Sequence, residues 1–557
     1  MAETVPRDHG AESEATVPLK IYNPIPWLHD LSQHFGWRLL VMLCASQHLL
    51  KGLVSHLTGQ STKFLYKSYG VAGPRMQILN SVSMLPWAMK PIIGLVSDAV
   101  PIAGLSKAPY VITASVVGVA GCAALGVVPH DFLDVEQAVA CCFLMQLQFS
   151  TCDLLAEAKY SERMQAKPKH GPELLTFVWF GIQLGGLIGV ALGGVILKFL
   201  GVKAVYQMAV IPAALILLPA GANYLGEDSM GTAEITKARQ KLAEEKEVCI
   251  LCLIMFVGTL TLTGLGIAFE SVVVNAIGAL VVAVVMLVAF TLVLKPIIAK
   301  ANAYFLIQNC LMFSTSGASF YFFTDTKEQY KEGPHFSTFF YTSVLGVGGA
   351  ACSLLGIYSY QRWLKNWTYR GLLLMTNLVY SCLCIIDLIM YKRLNVRWGI
   401  PDHAFVLSTG SMETIVQYWW WMPAVVILSQ LCPRGMEATM YALLAGCSNL
   451  GSSINANLGA VVLQYLHVAP NASNNESAQF DNLWVASALS TALPLSTLFL
   501  LPWLIPDARQ TDKLLEDGDR SATSGSLLKR WNSRGSSQSP RGDIIGAELE
   551  MAALRNP

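Results

Sequence analysis

Leu85-Pro86-Trp87-Ala88-Met89-Lys90-Pro91-Ile92-Ile93-Gly94-Leu95-Val96-Ser97-Asp98 closes the second of a long series of apolar blocks. A lysine stands inside the block and an aspartate at its end. Working outward in both directions, apolar runs of similar length recur across the chain. A bilayer core of about 30 Å needs about 20 apolar residues per helix. Runs of that length begin near Leu39, Met76, Tyr110, Val135, Leu174, Ala204, Val248, Val272, Ala299, Phe336, Tyr369, His403, Glu437 and Leu483, and the last ends near Leu504. The pattern predicts an all-α integral membrane protein of about fourteen spans. Backbone groups in hydrocarbon must be bonded within their own segment, which requires helices. A membrane barrel would alternate in polarity, and these runs do not.

Composition agrees. Hydrophobic residues make up 53% of the 557 residues and charged residues 13%, against roughly 25% charged in a soluble domain. The formal net charge is +1, so no global field draws the chain to nucleic acid. The first thirty-odd residues are polar and lack the apolar core and cleavage site of a signal peptide. The thirteen cysteines mostly lie inside apolar runs and read as packing thiols. Cys249 and Cys252 form a lone CxxC without a second pair. No metal or cofactor is expected.

The two halves are alike. Lys63-Phe64-Leu65-Tyr66 follows the first span, and Tyr321-Phe322-Phe323-Thr324-Asp325 follows the ninth. Glycine-rich helices stand fifth (Gly181, Gly185, Gly186, Gly189, Gly193, Gly194) and thirteenth (Gly446, Gly451, Gly459), where small residues let helices approach closely. The organisation expected is a cytoplasmic tail over 1–38, a six-helix half over 39–225, a cytoplasmic loop with an inserted helix pair over 226–298, a second six-helix half over 299–506, and a disordered cytoplasmic tail over 507–557. Repeats of this kind place a binding site between the halves at mid-depth.

Lys and Arg in short loops orient the chain with both termini cytoplasmic, by a modest excess on that side. Asn471-Ala-Ser473 and Asn475-Glu-Ser477 are glycosylation acceptors, and Asn471 and Asn475 both fall in the last loop of the opposite side. A multi-pass protein of the plasma membrane is the expectation.

Gly94 and Asp98 match the G-x-x-x-D core of the inner loop shared by major facilitator transporters. The match narrows from there. Phe64-Leu65-Tyr66-Lys67, Pro86-Trp87, Lys90-Pro91, Gly94, Ser97-Asp98, Pro101 and Pro109-Tyr110 resemble the folate–biopterin transporter family. So do Asp153-Leu-Leu-Ala-Glu157-Ala-Lys-Tyr-Ser161-Glu162-Arg163, and Cys432-Pro433-Arg-Gly435-Met-Glu437-Ala-Thr-Met-Tyr441-Ala442-Leu443-Leu444 followed by Asn449-Leu-Gly451. These motifs lie in both halves, between about 40 and 505. Ser106-Lys107-Ala108 departs from the basic pair that family members often carry before Pro-Tyr. The resemblance implies a major facilitator fold and import of folate or pterins such as biopterin by proton symport. Some relatives carry S-adenosylmethionine instead.

Ionisable groups inside a span cost about 2.5–3.5 kcal/mol on insertion scales and default to function. Gln47 and Lys51 share a face of the first span, four residues apart. Lys90 lies in the second, and Glu413 and Gln417 share a face of the twelfth. A carboxylate can accept two bonds from a pterin's amino group and ring N–H, and a lysine can neutralise the acidic tail of a folate. Gln47, Lys51, Lys90, Glu413 and Gln417 are therefore candidate substrate-binding residues. Structural pairing of Glu413 with a buried lysine is the plainer alternative. Asp98, Asp153, Glu157, Glu162, Arg163 and Glu437 stand where spans meet inner loops, and are candidates for gating or, at Asp153, for taking the coupling proton. Static charge pairs are the alternative there.

Three other readings compete: a fourteen-span drug–proton antiporter, a membrane enzyme and a non-transporting receptor. An enzyme would need a clustered catalytic set, and the ten histidines are scattered with no HxxxH run and no Gly-x-Ser-x-Gly elbow.

Overall fold

The computed structural model describes residues 24–536 except 245, 433–436 and 516–520. Helices dominate, and among the described residues the only β pairing is two isolated bridges. Ten helices are long and apolar enough to cross a membrane. We label the membrane-length segments α1–α14 in chain order. In the first half these are α1 (Trp37–Ser68), α2 (Gly73–Met84 and Lys90–Ala99), α3 (Ala108–Val127), α4 (Val135–Ala166), α5 (Gly171–Leu200) and α6 (Val202–Gly221). The inserted pair is α7 (Lys246–Ala268) and α8 (Val272–Val293). In the second half α9 (Pro296–Leu311 and Ser316–Thr324), α10 (Phe340–Leu364), α11 (Tyr369–Tyr391), α12 (Asp402–Gln430), α13 (Glu437–Tyr465) and α14 (Leu483–Leu495, with Leu501–Leu504 beyond) follow.

The four segments outside the ten apolar ones are α2, α9, α12 and α13. Two are broken and two carry many polar residues, which is what an interior-facing position in a bundle demands. Local chemistry sets many ends. Asp134 and Gln137 form a capping box at the start of α4, and Thr368 caps α11 through the Gly371 N–H. Prolines open α3, α5 and the first piece of α9, where a missing N–H costs nothing.

Three irregularities lie in the interior. Residues Cys44–Val54 of α1 are wound as a π-helix, a form that concentrates at functional positions. In α2, Leu85–Trp87 form a 3-10 turn around Pro86, because proline removes an N–H and crowds the preceding turn. In α9, the helix stops at Leu311 and restarts at Ser316. Discontinuous helices inside a bundle are where carriers place their binding sites.

We call the end of the bundle bearing both described termini the terminal end, and the other the distal end. At the distal end the halves are bolted together. Lys67 Nζ reaches Asp325 Oδ1 at 2.7 Å and the Thr324 carbonyl at 3.1 Å. The Gly73 N–H donates to the Pro470 carbonyl at 2.8 Å, and Ser343 Oγ donates to the Val190 and Ala191 carbonyls at 2.9 and 2.8 Å. A Cβ at Gly317 would overlap the Gly73 carbonyl, so only glycine lets α9 and α2 approach there. The two repeat segments noted in the sequence meet here, with the Phe64 and Phe320 rings edge to face at 4.9 Å.

The inserted pair packs on the outside of α2 and α13. Arg75 donates to the Phe269 carbonyl at 3.0 Å, and Gly266 faces Val82. The tail expected to be disordered from 507 begins with packed chain instead. The Tyr369 N–H donates to the Ala508 carbonyl at 3.0 Å, and Gln510 Nε2 donates to the Leu364 carbonyl at 3.0 Å. Main-chain groups at the end of α10 and the start of α11 need partners, and this segment supplies them. Residues 516–520 of that tail, and those beyond Ser536, lie outside the described residues.

Candidate functional site

The breaks in α2 and α9 frame a cavity of about 390 Å³ between the halves. Gln77, Asn80, Ser81, Met84 and Trp87 line it from α2, Ser314 and Ser316 from the break in α9, and Asn449, Ser452, Ser453 and Asn455 from α13. All of these side chains are uncharged. Amides and hydroxyls can both donate and accept, and Trp87 adds an aromatic wall. Gln77 holds the distal edge, donating to the Ser314 and Ala456 carbonyls at 3.0 and 2.8 Å. Trp87 Nε1 donates to Gln146 Oε1 of α4 at 2.8 Å, which fixes the ring.

A charge cluster abuts that wall. Lys90 Nζ sits 4.6 Å from the Trp87 ring centre and 2.6 Å from Asp153 Oδ2. Lys51 Nζ, on the π-wound part of α1, lies 2.7 Å from Asp153 Oδ1 and 5.5 Å from the Trp179 ring. The Asp153 side chain is only 3% exposed. Three spans thus bring two ammonium groups onto one carboxylate. Glu157, one turn further along α4, faces the same cluster beside Tyr160. Gln47 is buried, with its amide nitrogen unpartnered. The close packing of α1 depends on the glycines of α5, since a Cβ at Gly185 would overlap the His48 carbonyl.

The sequence separated Lys51 and Lys90, as substrate ligands, from Asp153, as a gating or proton-taking group. The structure joins all three. Both oxygens of Asp153 are engaged by cations, so its geometry is that of a shared counter-charge.

Glu413 and Gln417 line a different cavity, of about 290 Å³, together with Tyr380, Ser411 and Thr414. Among the described residues, no lysine pairs with Glu413. Its neighbour within hydrogen-bonding reach is Asp387 of α11, a residue the sequence reading passed over. Asp387 could have been found as one more ionisable group inside an apolar run. The tryptophans beside Gln417 diverge: Trp419 Nε1 donates to Ser359 Oγ at 2.7 Å, Trp420 Nε1 points to Gln308 Oε1 at 3.4 Å, and Trp421 is exposed. Adjacent helical residues are turned by about 100°, which scatters them.

The remaining candidates lie at the terminal end. Glu162 pairs with Lys159 at 3.1 Å, and Arg163 stands exposed on the last turn of α4. Asp98 is exposed near the end of α2. Glu437 opens α13, and its side chain lies outside the described residues. Asn471 and Asn475 are exposed on the distal loop before α14. The residues most plainly missed are Asn80, Ser314, Ser316 and Ser452, whose only signal was polarity inside apolar segments.

Solved structures share this architecture at low identity. A crystal structure of the peptide transporter POT in complex with sulfate superposes with a TM-score of 0.59 at 14% identity, covering 85% of this chain and 96% of that one. A D-xylose–proton symporter superposes at 0.53 and 14%, covering 86% and 99%. The fold is that of the major facilitator transporters. Among curated proteins, "Probable folate-biopterin transporter 2" of Arabidopsis thaliana is 25% identical, covering 89% of each chain. The "Folate-biopterin transporter" of Synechocystis is 26% identical over 87% of this chain and 86% of its own. "Folate transporter 2" of Plasmodium falciparum is 23% identical over 83% and 87%. These are names of transporters, not of enzymes. The BT1 family model matches residues 51–524, most of the chain, and the chain belongs to the BT1 family.

Proposed function

We propose that this protein imports folate, pterins such as biopterin, or both, across the plasma membrane by alternating access, coupled to protons, with its termini in the cytoplasm. One observation carries the substrate assignment: an uncharged, amide-rich cavity walled by Trp87 abuts two lysines that share one carboxylate. A pterin is a flat ring edged with donors and acceptors. Amides and hydroxyls match that edge, and an aromatic face can stack on the ring. Lys51 and Lys90 share Asp153 with Glu157 facing the same cluster, and with Glu157 protonated one positive charge is left over in a setting where charge is costly. A carboxylate of a folate's glutamate tail would neutralise it.

The names of the relatives in plants, cyanobacteria and Plasmodium support the same substrate class. In this reading Glu413 and Gln417 belong to a second chamber behind the central one. The ties at the distal end hold one of two access states, with the terminal end as the side of release.

Uptake of labelled folate, biopterin and S-adenosylmethionine into cells expressing the chain, at external pH 5.5 and 7.5, tests the proposal. Saturable uptake of folate or biopterin, larger at the acidic value, is expected. Accumulation of S-adenosylmethionine alone would reassign the substrate. Outward movement of unrelated drugs would favour a drug–proton antiporter, and absence of all transport at normal surface abundance a receptor.

A further inference from the structure

The distal closure contains an ionic group that the transport site does not use. Lys67, from the end of α1, is 18% exposed and meets Asp325, from the end of α9, whose side chain is fully buried. Asp325 Oδ1 takes the ammonium group at 2.7 Å. Its Oδ2 is buried and receives no donor. Glu476 lies against it, 7% exposed, within hydrogen-bonding reach. The Glu476 carboxyl is also held from its own loop, accepting from the Asn471 N–H at 2.9 Å and the Ala472 N–H at 2.8 Å. That loop is strapped to the 325–335 segment: the Asn475 and Glu476 N–H groups donate to the Glu328 and Gln329 carbonyls at 2.9 and 2.8 Å. Asp325 and Glu476 therefore move with the second half, and Lys67 with the first.

Two buried carboxylates against one ammonium group carry one negative charge too many. We infer that Glu476, with Asp325 and Lys67, forms a proton-binding site in which a proton taken up by the Glu476 carboxylate and donated to Asp325 Oδ2 closes the distal end. With that proton in place, Asp325 is satisfied on both oxygens and one carboxylate faces one lysine. Without it, the closed state holds two ionised carboxylates buried side by side, a cost that opening relieves by admitting water to them.

Burial, and then the hydrogen bond to Asp325, push the Glu476 carboxyl up to about 7. A carboxyl raised in the closed state holds its proton more tightly there than when open. Proton uptake thus favours closing, and closure weakens as pH climbs from the ordinary carboxylate range towards 7. The other groups facing the cluster are Tyr321 on α9, whose hydroxyl donates to the Val71 carbonyl, and His335, whose Nδ1 meets the Asp325 carbonyl at 2.8 Å. Tyr330 lies alongside, near Glu332, Asp481 and the Arg393–Asp402 pair. Lys67 is the cation in direct contact with either carboxylate among the described residues.

The inference builds on a two-ended carrier, but its test needs no substrate. Spin labels at Asp131→Cys and Asn474→Cys, on exposed distal loops of the two halves, report their separation in the full-length chain with its reactive native cysteines replaced. Between pH 5 and 7 the closed-to-open ratio should fall about tenfold per unit at the steepest, the limit for one linked proton. Glu476→Gln, which keeps an acceptor oxygen and cannot ionise, should stay closed throughout. Lys67→Gln should move the transition to higher pH. Identical distance distributions at pH 5 and 8 in the parent chain, or a Glu476→Gln variant that opens as the parent does, would overturn the inference. Failure of folate uptake with the pH-dependent separation intact would overturn only the substrate reading.

Discussion

Two lysines on one carboxylate make a prediction with two readouts of opposite expectation. Asp153 accepts from Lys51 at 2.7 Å and from Lys90 at 2.6 Å, one on each oxygen. Lys90→Gln or Lys51→Gln leaves a one-to-one pair, so the fold should tolerate either change and surface abundance should hold. What disappears is one of the two ammonium groups able to meet a folate carboxylate. A charged hydrogen bond is worth about 1.5–3 kcal/mol, and each 1.4 kcal/mol is tenfold in affinity. The KM for folate should therefore rise about 10- to 100-fold, while that for biopterin, which has no carboxylate, should change little. Removing both lysines strands a buried carboxylate, which costs about 3–5 kcal/mol, so the double variant should be lost from the surface. Concentration-dependent uptake of the two labelled substrates, normalised to surface protein, measures all of this. Equal losses for folate and biopterin would refute the division of labour. A single variant that collapses as completely as the double would refute the charge count.

Other consequences follow from the same geometry. Trp87→Ala should weaken uptake of every pteridine by removing about 0.5–1.5 kcal/mol of ring packing, and Trp87→Phe should restore most of it; equal uptake by all three chains would remove the ring from the site. Glu413→Gln, at normal surface abundance, should leave pterin affinity unchanged if the second chamber is separate from the central one, and a large rise in KM would return Glu413 to the substrate. Gly317→Val places carbon where the Gly73 carbonyl stands, so it should hold the distal loops apart in the spin-label measurement and abolish accumulation; normal transport would show that this contact is dispensable. Asn471→Gln with Asn475→Gln should remove an endoglycosidase-sensitive mobility shift if the distal end is extracellular, and a parent chain without such a shift would deny that orientation any support.

Helicity, membrane residence and the two-half plan were legible in the sequence because hydrocarbon imposes a one-dimensional rule. A segment that cannot bond its backbone to water must be apolar and helical along its whole length, and that requirement is visible in runs such as the one from Val272 to Val293. Lys51, Lys90 and Asp153 were legible as individuals for the same reason, as charges where charge is expensive. Their grouping was not. A helix shows a third of its face to each neighbour, and which third is decided by packing: by the glycines of α5 against the π-wound turn, and by Pro86 breaking α2 just before Lys90. Asp387 beside Glu413, the shared counter-charge on Asp153, and the meeting of Lys67 with Asp325 across 258 residues of chain all depend on those rotations. Composition can state what a segment is made of, and only the assembled bundle says what each side chain faces.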